Sequence, residues 1–172
     1  NEEKRHYLKH NNSIDDIGYT NFLLRIIKPL LKYISLGEKG LDYGCGYSPA
    51  LVNMLKKIGF ETELYDPFFF PNKNIFTRKF NFITCTEVVE HFFNPYQEFI
   101  KIDDLLISNG LFAVMTTFMT EDYLFKDWYY IRDPTHVVFY NMKTFKTIAH
   151  QRNWSLLYTK KNIVIFKKIN VN

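Results

Sequence analysis

The run Thr86-Glu87-Val88-Val89-Glu90-His91 carries two carboxylates and an imidazole within five positions. Glu87, Glu90 and His91 are spaced i, i+3 and i+4, so a helix starting at Glu87 would present all three on one face. His136, from much further along the chain, is a fourth group of the same kind. Two carboxylates and two imidazoles make a donor set for a divalent ion. An imidazole beside a carboxylate can equally take a proton from a hydroxyl. A second constellation is Leu41-Asp42-Tyr43-Gly44-Cys45-Gly46-Tyr47-Ser48, in which glycines allow a sharp turn and close approach of backbone to a ligand. Asp66 follows 24 residues after Asp42, near the offset of a carboxylate that accepts ribose hydroxyls. Pro49 stands where a dinucleotide loop has its third glycine. A carboxylate ahead of the loop suits a cofactor with a cationic amino-acid end better than one with a pyrophosphate.

Positioning these groups requires strands that deliver loops to one edge of a sheet. Apolar residues at helical spacing (Phe22, Leu23, Ile26, Ile27, Leu30, Leu31) predict a helix over 19–34, bent by Pro29. A short buried strand over 41–43 runs into the glycine turn, and a helix over 50–58 stops at Gly59. Strands are expected at 61–65, 80–85 and 111–116, with helices at 87–93, 96–107 and 142–151. The closing strands 155–159 and 163–168 are joined by Lys160-Lys161-Asn162 as a hairpin. Alternation of strand and helix predicts an α/β fold with a doubly wound, mostly parallel sheet and a C-terminal antiparallel hairpin. Residues 1–18 read as an amino-terminal arm or lid, and 19–172 as a single domain.

The loop from Leu41 to Ser48 resembles motif I of class I S-adenosylmethionine-dependent methyltransferases, D-x-G-x-G-x-G, with Ser48 replacing the last glycine. The stretch ITCTEVVEH, ending at His91, resembles the motif after that superfamily's fourth strand, and residues 110–168 resemble its fifth strand, last helix and terminal hairpin. The resemblance implies a Rossmann-like methyltransferase with S-adenosylmethionine as cofactor. By it, Asp42 and the loop Gly44, Cys45, Gly46 and Tyr47 would hold the methionine part. Asp66, flanked by Tyr65 and Pro67, would bind the ribose, and Thr86 would lie beside the sulfonium. The E-x-x-E-H pattern resembles that of ubiquinone-biosynthesis O-methyltransferases. With His136 it also resembles the metal site of small-RNA 2′-O-methyltransferases, where the ion gathers substrate oxygens. This implies Glu87, Glu90, His91 and His136 as ligands of an optional divalent metal, and His91, His136 and Glu87 as catalytic groups. The same run is also widespread in the superfamily without any metal, its His then being a satisfied polar group. One departure stands out: only 67–79 separate Asp66 from the next strand, so the third strand is expected to be shortened or missing. No acid is then placed to contact the adenine, and Phe68, Phe69 and Phe70 would cover it instead.

The expected reaction is methyl transfer to a small molecule, at oxygen. The alternatives are an RNA 2′-hydroxyl methyltransferase with a divalent metal and a non-catalytic cofactor-binding module. A net charge of +4 with scattered lysines favours a small-molecule substrate over nucleic acid. The set Asp42, Gly44, Gly46 and Asp66 disfavours a module without activity. Cys45 and Cys85 form no CxxC pair and suit free thiols in a reducing compartment. With no apolar run of spanning length and no signal pattern, a soluble, cytoplasmic protein without a membrane partner is expected. The connection over 121–140 occupies the usual substrate-lid position; its rings Trp128, Tyr129 and Tyr130 would shape a pocket and Arg132 could meet an anion. Arg5, His6, Tyr7 and His10 form a polar cluster in the arm that could close over the cofactor.

Overall fold

The computed structural model describes residues 16–121 and 124–169. The arm cluster Arg5, His6, Tyr7 and His10 lies outside the described residues. Its last positions do not: Asp16 caps helix α1 (Ile17–Leu30) by accepting from the N–H groups of Gly18 and Tyr19, so the helix begins earlier than its apolar spacing announced. Pro29 stands in the final turn, and the helix ends one residue later.

Six strands follow: β1 (Lys39–Tyr43), β2 (Glu61–Tyr65), β3 (Phe80–Thr86), β4 (Leu106–Met115), β5 (Trp154–Lys160) and β6 (Ile163–Lys168). Their order is β2-β1-β3-β4-β6-β5. The first four run parallel, and β6 lies antiparallel between β4 and β5. Helices α2 (Ala50–Lys57), α3 (Pro95–Leu105) and α4 (Met142–Arg152) complete the layers. Alternate strand residues feed two cores. Leu41, Ile83, Phe112 and Val164 pack with Phe99, Ile102 and Phe145 of α3 and α4. Phe82, Ala113 and Ile165 pack with Ile26, Leu30 and Leu51 of α1 and α2 on the opposite face. Burial of both faces explains why these strands read as continuous apolar runs.

The expected loss of the third strand is found: β2 is the sheet edge. After it the chain makes a tight turn closed by an Asp66–Phe70 bridge and a 3-10 helix at Lys73–Thr77. Two other expectations fail. The helix over 87–93 is only a 3-10 turn, Val89–His91. Asn94 caps α3 and precedes Pro95, which disfavours helical backbone at Asn94. The helix over 96–107 stops at Leu105, because Leu106 already pairs with Phe80 across a bulge that absorbs the expected Ser108-Asn109-Gly110 turn.

Candidate active site

The parallel strands β1, β2 and β3 end together, and their following loops converge at that edge. Gly44 and Cys45 donate their N–H groups to the Tyr65 carbonyl at 2.8 and 3.1 Å, which ties the glycine loop to the end of β2. Gly44 adopts φ +88°, and a Cβ there would lie 2.5 Å from Val88, so only glycine lets this loop pass beneath the next one. Gly46 has φ +64° and open space where a Cβ would stand, a cradle facing no protein atom within 4 Å. Tyr47 meets Phe69 edge-on at 6.0 Å, Phe68 and Phe70 are half-buried beside it, and Pro67 is exposed.

Asp42 and Asp66 lie behind this loop. Asp42 is buried and accepts from the Thr84 hydroxyl at 2.8 Å. Burial pushes its carboxyl up to about 7; the Thr84 bond opposes that rise and the neighbouring Asp66 charge adds to it. A cation brought beside it would be welcomed. Asp66 accepts three backbone N–H groups, from Gly46 at 3.1 Å, Phe68 at 2.8 Å and Phe69 at 3.1 Å. A carboxylate offers about four lone-pair sites, so roughly one is left for a ligand unless a backbone bond is exchanged. Cys45 is half-buried, and burial pushes its thiol up, which disfavours the thiolate; Cys85 is buried, and both are free. Tyr19, from α1, brings its phenol into the same field: burial raises its pKa first, then Asp42, Tyr47, Cys45 and Glu87.

The second constellation forms where the lid meets the end of β3. Glu87 donates its N–H to the Met115 carbonyl at 2.8 Å and then turns left-handed, with φ +51°. That reversal, not a helix, sets its direction. Tyr130 of the lid donates its hydroxyl to Glu90, and the same oxygen lies 3.0 Å from Glu87 and 3.2 Å from the Thr116 hydroxyl. Thr116 donates to the other Glu90 oxygen at 2.9 Å. Burial, and then the Glu90 charge, hold Glu87 well above the ordinary carboxylate range. The lid is also fixed through its backbone, since Val137 and Val138 donate to the Glu90 carbonyl.

His91 and His136 face each other with ring centroids 4.9 Å apart. Each points Nδ1 at a backbone carbonyl, His91 at Thr135 (2.9 Å) and His136 at Tyr130 (2.8 Å). A carbonyl only accepts, so each neutral ring is protonated at Nδ1 and carries its lone pair on Nε2. Burial lowers the His91 pKa, which favours that neutral form. Ligand-capable atoms of Glu90, His91 and His136 all lie within 4.8 Å of one another. Three of the four residues singled out as a cation site therefore meet. Glu87 is not in this group and joins Tyr130 instead. Tyr130 and Thr116 were legible only as a lid ring and a strand end; the one signal was their place on loops leaving the same sheet edge. Trp128 is buried against Tyr130 and Phe139, whereas Tyr129 and Arg132 are exposed.

A turn-and-cradle loop, a buried acid ready for a cation, and buried orphan oxygens on Thr86 (Oγ1) and Glu87 (Oε1) fit a ligand with an amino-acid end beside an acceptor pocket. The comparisons agree. The methyltransferase domain family matches residues 16–159. No curated protein matches the chain. An S-adenosylmethionine-dependent methyltransferase from Archaeoglobus fulgidus superimposes with TM-score 0.64 at 15% identity, covering 87% of this chain and 94% of that one. One from Methanosarcina mazei gives 0.63 at 11%, covering 82% and 97%. Phosphoethanolamine N-methyltransferase 2 of Haemonchus contortus, in complex with S-adenosylmethionine, gives 0.55 at 12%, covering 88% of this chain and 44% of that one. At such identities the likeness shows the fold, and the domain match shows the family: the chain belongs to the methyltransferase domain family and is an S-adenosylmethionine-dependent methyltransferase.

Proposed function

We propose that this methyltransferase acts on a hydroxyl group of a small molecule, with Glu90, His91 and His136 as the centre that accepts the hydroxyl proton. The observation that carries the reading is the meeting of two Nδ1-protonated imidazoles with a buried carboxylate under the lid. S-adenosylmethionine, when bound, supplies the methyl group on its sulfonium. Asp42 would pair with the cofactor's ammonium, and the backbone of Gly44, Cys45, Gly46 and Tyr47 would cradle its amino-acid end. Asp66, with Tyr65 and Pro67 beside it, would take the ribose by its remaining lone pair, and Phe69 would cover the base. Thr86 would stand next to the sulfonium. His91, neutral at Nε2, takes the hydroxyl proton, and Glu90 stabilises the imidazolium that forms. Glu87 holds its proton and offers it to a substrate oxygen. The lid excludes water from this exchange.

The same three donors also fit a divalent ion, and two imidazoles favour Mn, Fe, Co, Ni or Zn over Mg. Held by Glu90, His91 and His136, such an ion would lower the pKa of a bound hydroxyl. The experiment feeds methyl-labelled S-adenosylmethionine to the enzyme with separate small-molecule and RNA fractions of a cell extract, with and without chelator. Label is expected in small-molecule methyl ethers, and His91→Ala or His136→Ala should abolish it. Label in RNA, or in methylamines, overturns the reading. Loss with chelator and recovery with one of those ions selects the metal version.

A further inference from the structure

We propose that Asp133 is a positioning residue of the His91–His136 centre: it folds the lid turn that presents a carbonyl to the His91 ring and brings His136 opposite that ring. The inference rests on the reading above and names the residue that sets its two imidazoles.

A 3-10 turn of the lid, Tyr129–Arg132, ends just before Asp133. Pro134 then fixes its own φ at the second position of a tight turn. The His136 N–H closes that turn on the Asp133 carbonyl at 3.1 Å. The Asp133 side chain locks it from within: Oδ1 accepts the Thr135 N–H at 2.9 Å and the Thr135 hydroxyl at 2.6 Å. Asn141 accepts the same two groups from Thr144, at 2.9 and 3.0 Å, but there the bonds open helix α4. Residues 134–140 form no helix. What the Asp133 bonds arrange is the Thr135 carbonyl, which accepts from His91 Nδ1 at 2.9 Å. They also fold back the chain that carries His136, whose Nδ1 donates to the Tyr130 carbonyl at 2.8 Å. Both imidazoles thus find their Nδ1 acceptors on the loop that Asp133 folds.

That placement decides what the rings can do. A neutral imidazole carries its proton on either nitrogen, and the bond made by one nitrogen leaves the lone pair on the other. With the Thr135 carbonyl displaced, the His91 proton is free to move to Nε2. There it would occupy the atom that has to take the hydroxyl proton or hold an ion. The second Asp133 oxygen, Oδ2, lies 3.8 Å from His136 Nε2, beyond hydrogen-bond reach. Asp133 therefore acts through the backbone it holds and does not itself touch the reacting groups.

The test is nitrogen NMR of the imidazole rings in the isotope-labelled full chain at pH 8, with His91→Ala and His136→Ala assigning the signals. The rate of methyl-label transfer from S-adenosylmethionine to a small-molecule extract fraction is measured beside it. In the wild type both rings should be protonated at Nδ1. Asp133→Ala should turn His91 into a mixture of tautomers and slow label transfer about tenfold to a hundredfold, with S-adenosylhomocysteine affinity unchanged. Asp133→Asn, whose amide oxygen accepts the same two bonds, should restore the tautomer and most of the rate. Thr135→Val is milder, because it keeps the N–H bond and loses the hydroxyl. It should shift the His91 tautomer part of the way, and it carries the test if Asp133→Ala does not fold. Asp127→Ala, at an exposed lid acid, should change neither readout. A wild-type His91 protonated at Nε2 overturns the proposal. So does a His91 that stays protonated at Nδ1 in Asp133→Ala and Thr135→Val, or an Asp133→Asn as impaired as Asp133→Ala. A tautomer lost in Asp133→Ala with label transfer undiminished leaves the placement standing and defeats the reading of His91 as the proton acceptor.

Discussion

Tyr130 joins the lid to the sheet. Its ring packs 4.1 Å from His136 and 5.2 Å from Trp128, and its hydroxyl serves both Glu87 and Glu90. Tyr130→Phe keeps the packing and removes the donor, leaving buried carboxylate oxygens unpaired at a cost of about 1–3 kcal/mol. The variant should lose that much stability in urea denaturation and should methylate more slowly, with nearly unchanged affinity for S-adenosylhomocysteine. Wild-type stability in this variant would mean the hydroxyl is not holding the carboxylates. At this scale the sequence was informative where residue type limits the chemistry. Glu90, His91 and His136 stood out because imidazoles and carboxylates have few buried uses without partners. Tyr130 did not, since a tyrosine in an aromatic run declares packing and keeps silent about its hydroxyl. Glu87 was put on the wrong face because a left-handed glutamate has no sequence mark, unlike a left-handed glycine.

The glycine loop was legible as an element because strand, turn and helix each carry their own signature. What could not be read is which glycine serves the fold and which the ligand. Gly44→Ala would force both a positive φ and a 2.5 Å contact with Val88. It should destabilise the chain by about 1–3 kcal/mol and abolish S-adenosylhomocysteine binding. Adding Val88→Ala should return only the steric share. Gly46→Ala meets open space at φ +64°. It should cost about 1–2 kcal/mol in stability, less than Gly44→Ala, and still weaken the ligand, because the new methyl fills the cradle. Denaturation and calorimetry on the three variants check this, and equal stability losses at both glycines would contradict it. The helix expected over 87–93 failed for a reason of the same scale. Three residues at helical spacing are also compatible with a single 3-10 turn, and the Asn94-Pro95 cap that shortens it belongs to the next helix. The lost third strand, by contrast, was readable from chain length alone, since 67–79 cannot hold a helix, a strand and another helix.

For the whole molecule, the fold gathers Asp42, Asp66, Glu87 and Glu90 at one sheet edge in a chain of net charge +4, and stability must therefore depend on pH. Asp42 has its carboxyl raised from 3.8 to about 7 by burial. Below about pH 4 it is protonated in both folded and unfolded chains, and its contribution is fully present. As pH rises the unfolded chain ionises first, so stability drains away until the folded carboxyl also ionises near 7. Burial of His91 acts in the opposite sense: its lowered pKa makes stability grow as pH climbs toward 6.5, the ordinary histidine value. The total curve mixes the two, and Asp42→Asn separates them, because an amide can still accept from Thr84 and does not titrate. The variant's advantage over wild type should widen by a few kcal/mol between about pH 4 and 7 and stay level above. An ammonium beside Asp42 reverses the preference by favouring its ionised form. S-adenosylhomocysteine should therefore raise the wild-type melting temperature more at pH 8 than at pH 5, and raise that of Asp42→Asn about equally at both. Thermal melts across that range decide the matter: a wild-type shift that ignores pH would place the cofactor's amino group away from Asp42, and a wild-type-to-variant difference that ignores pH would mean the carboxyl titrates at its ordinary value.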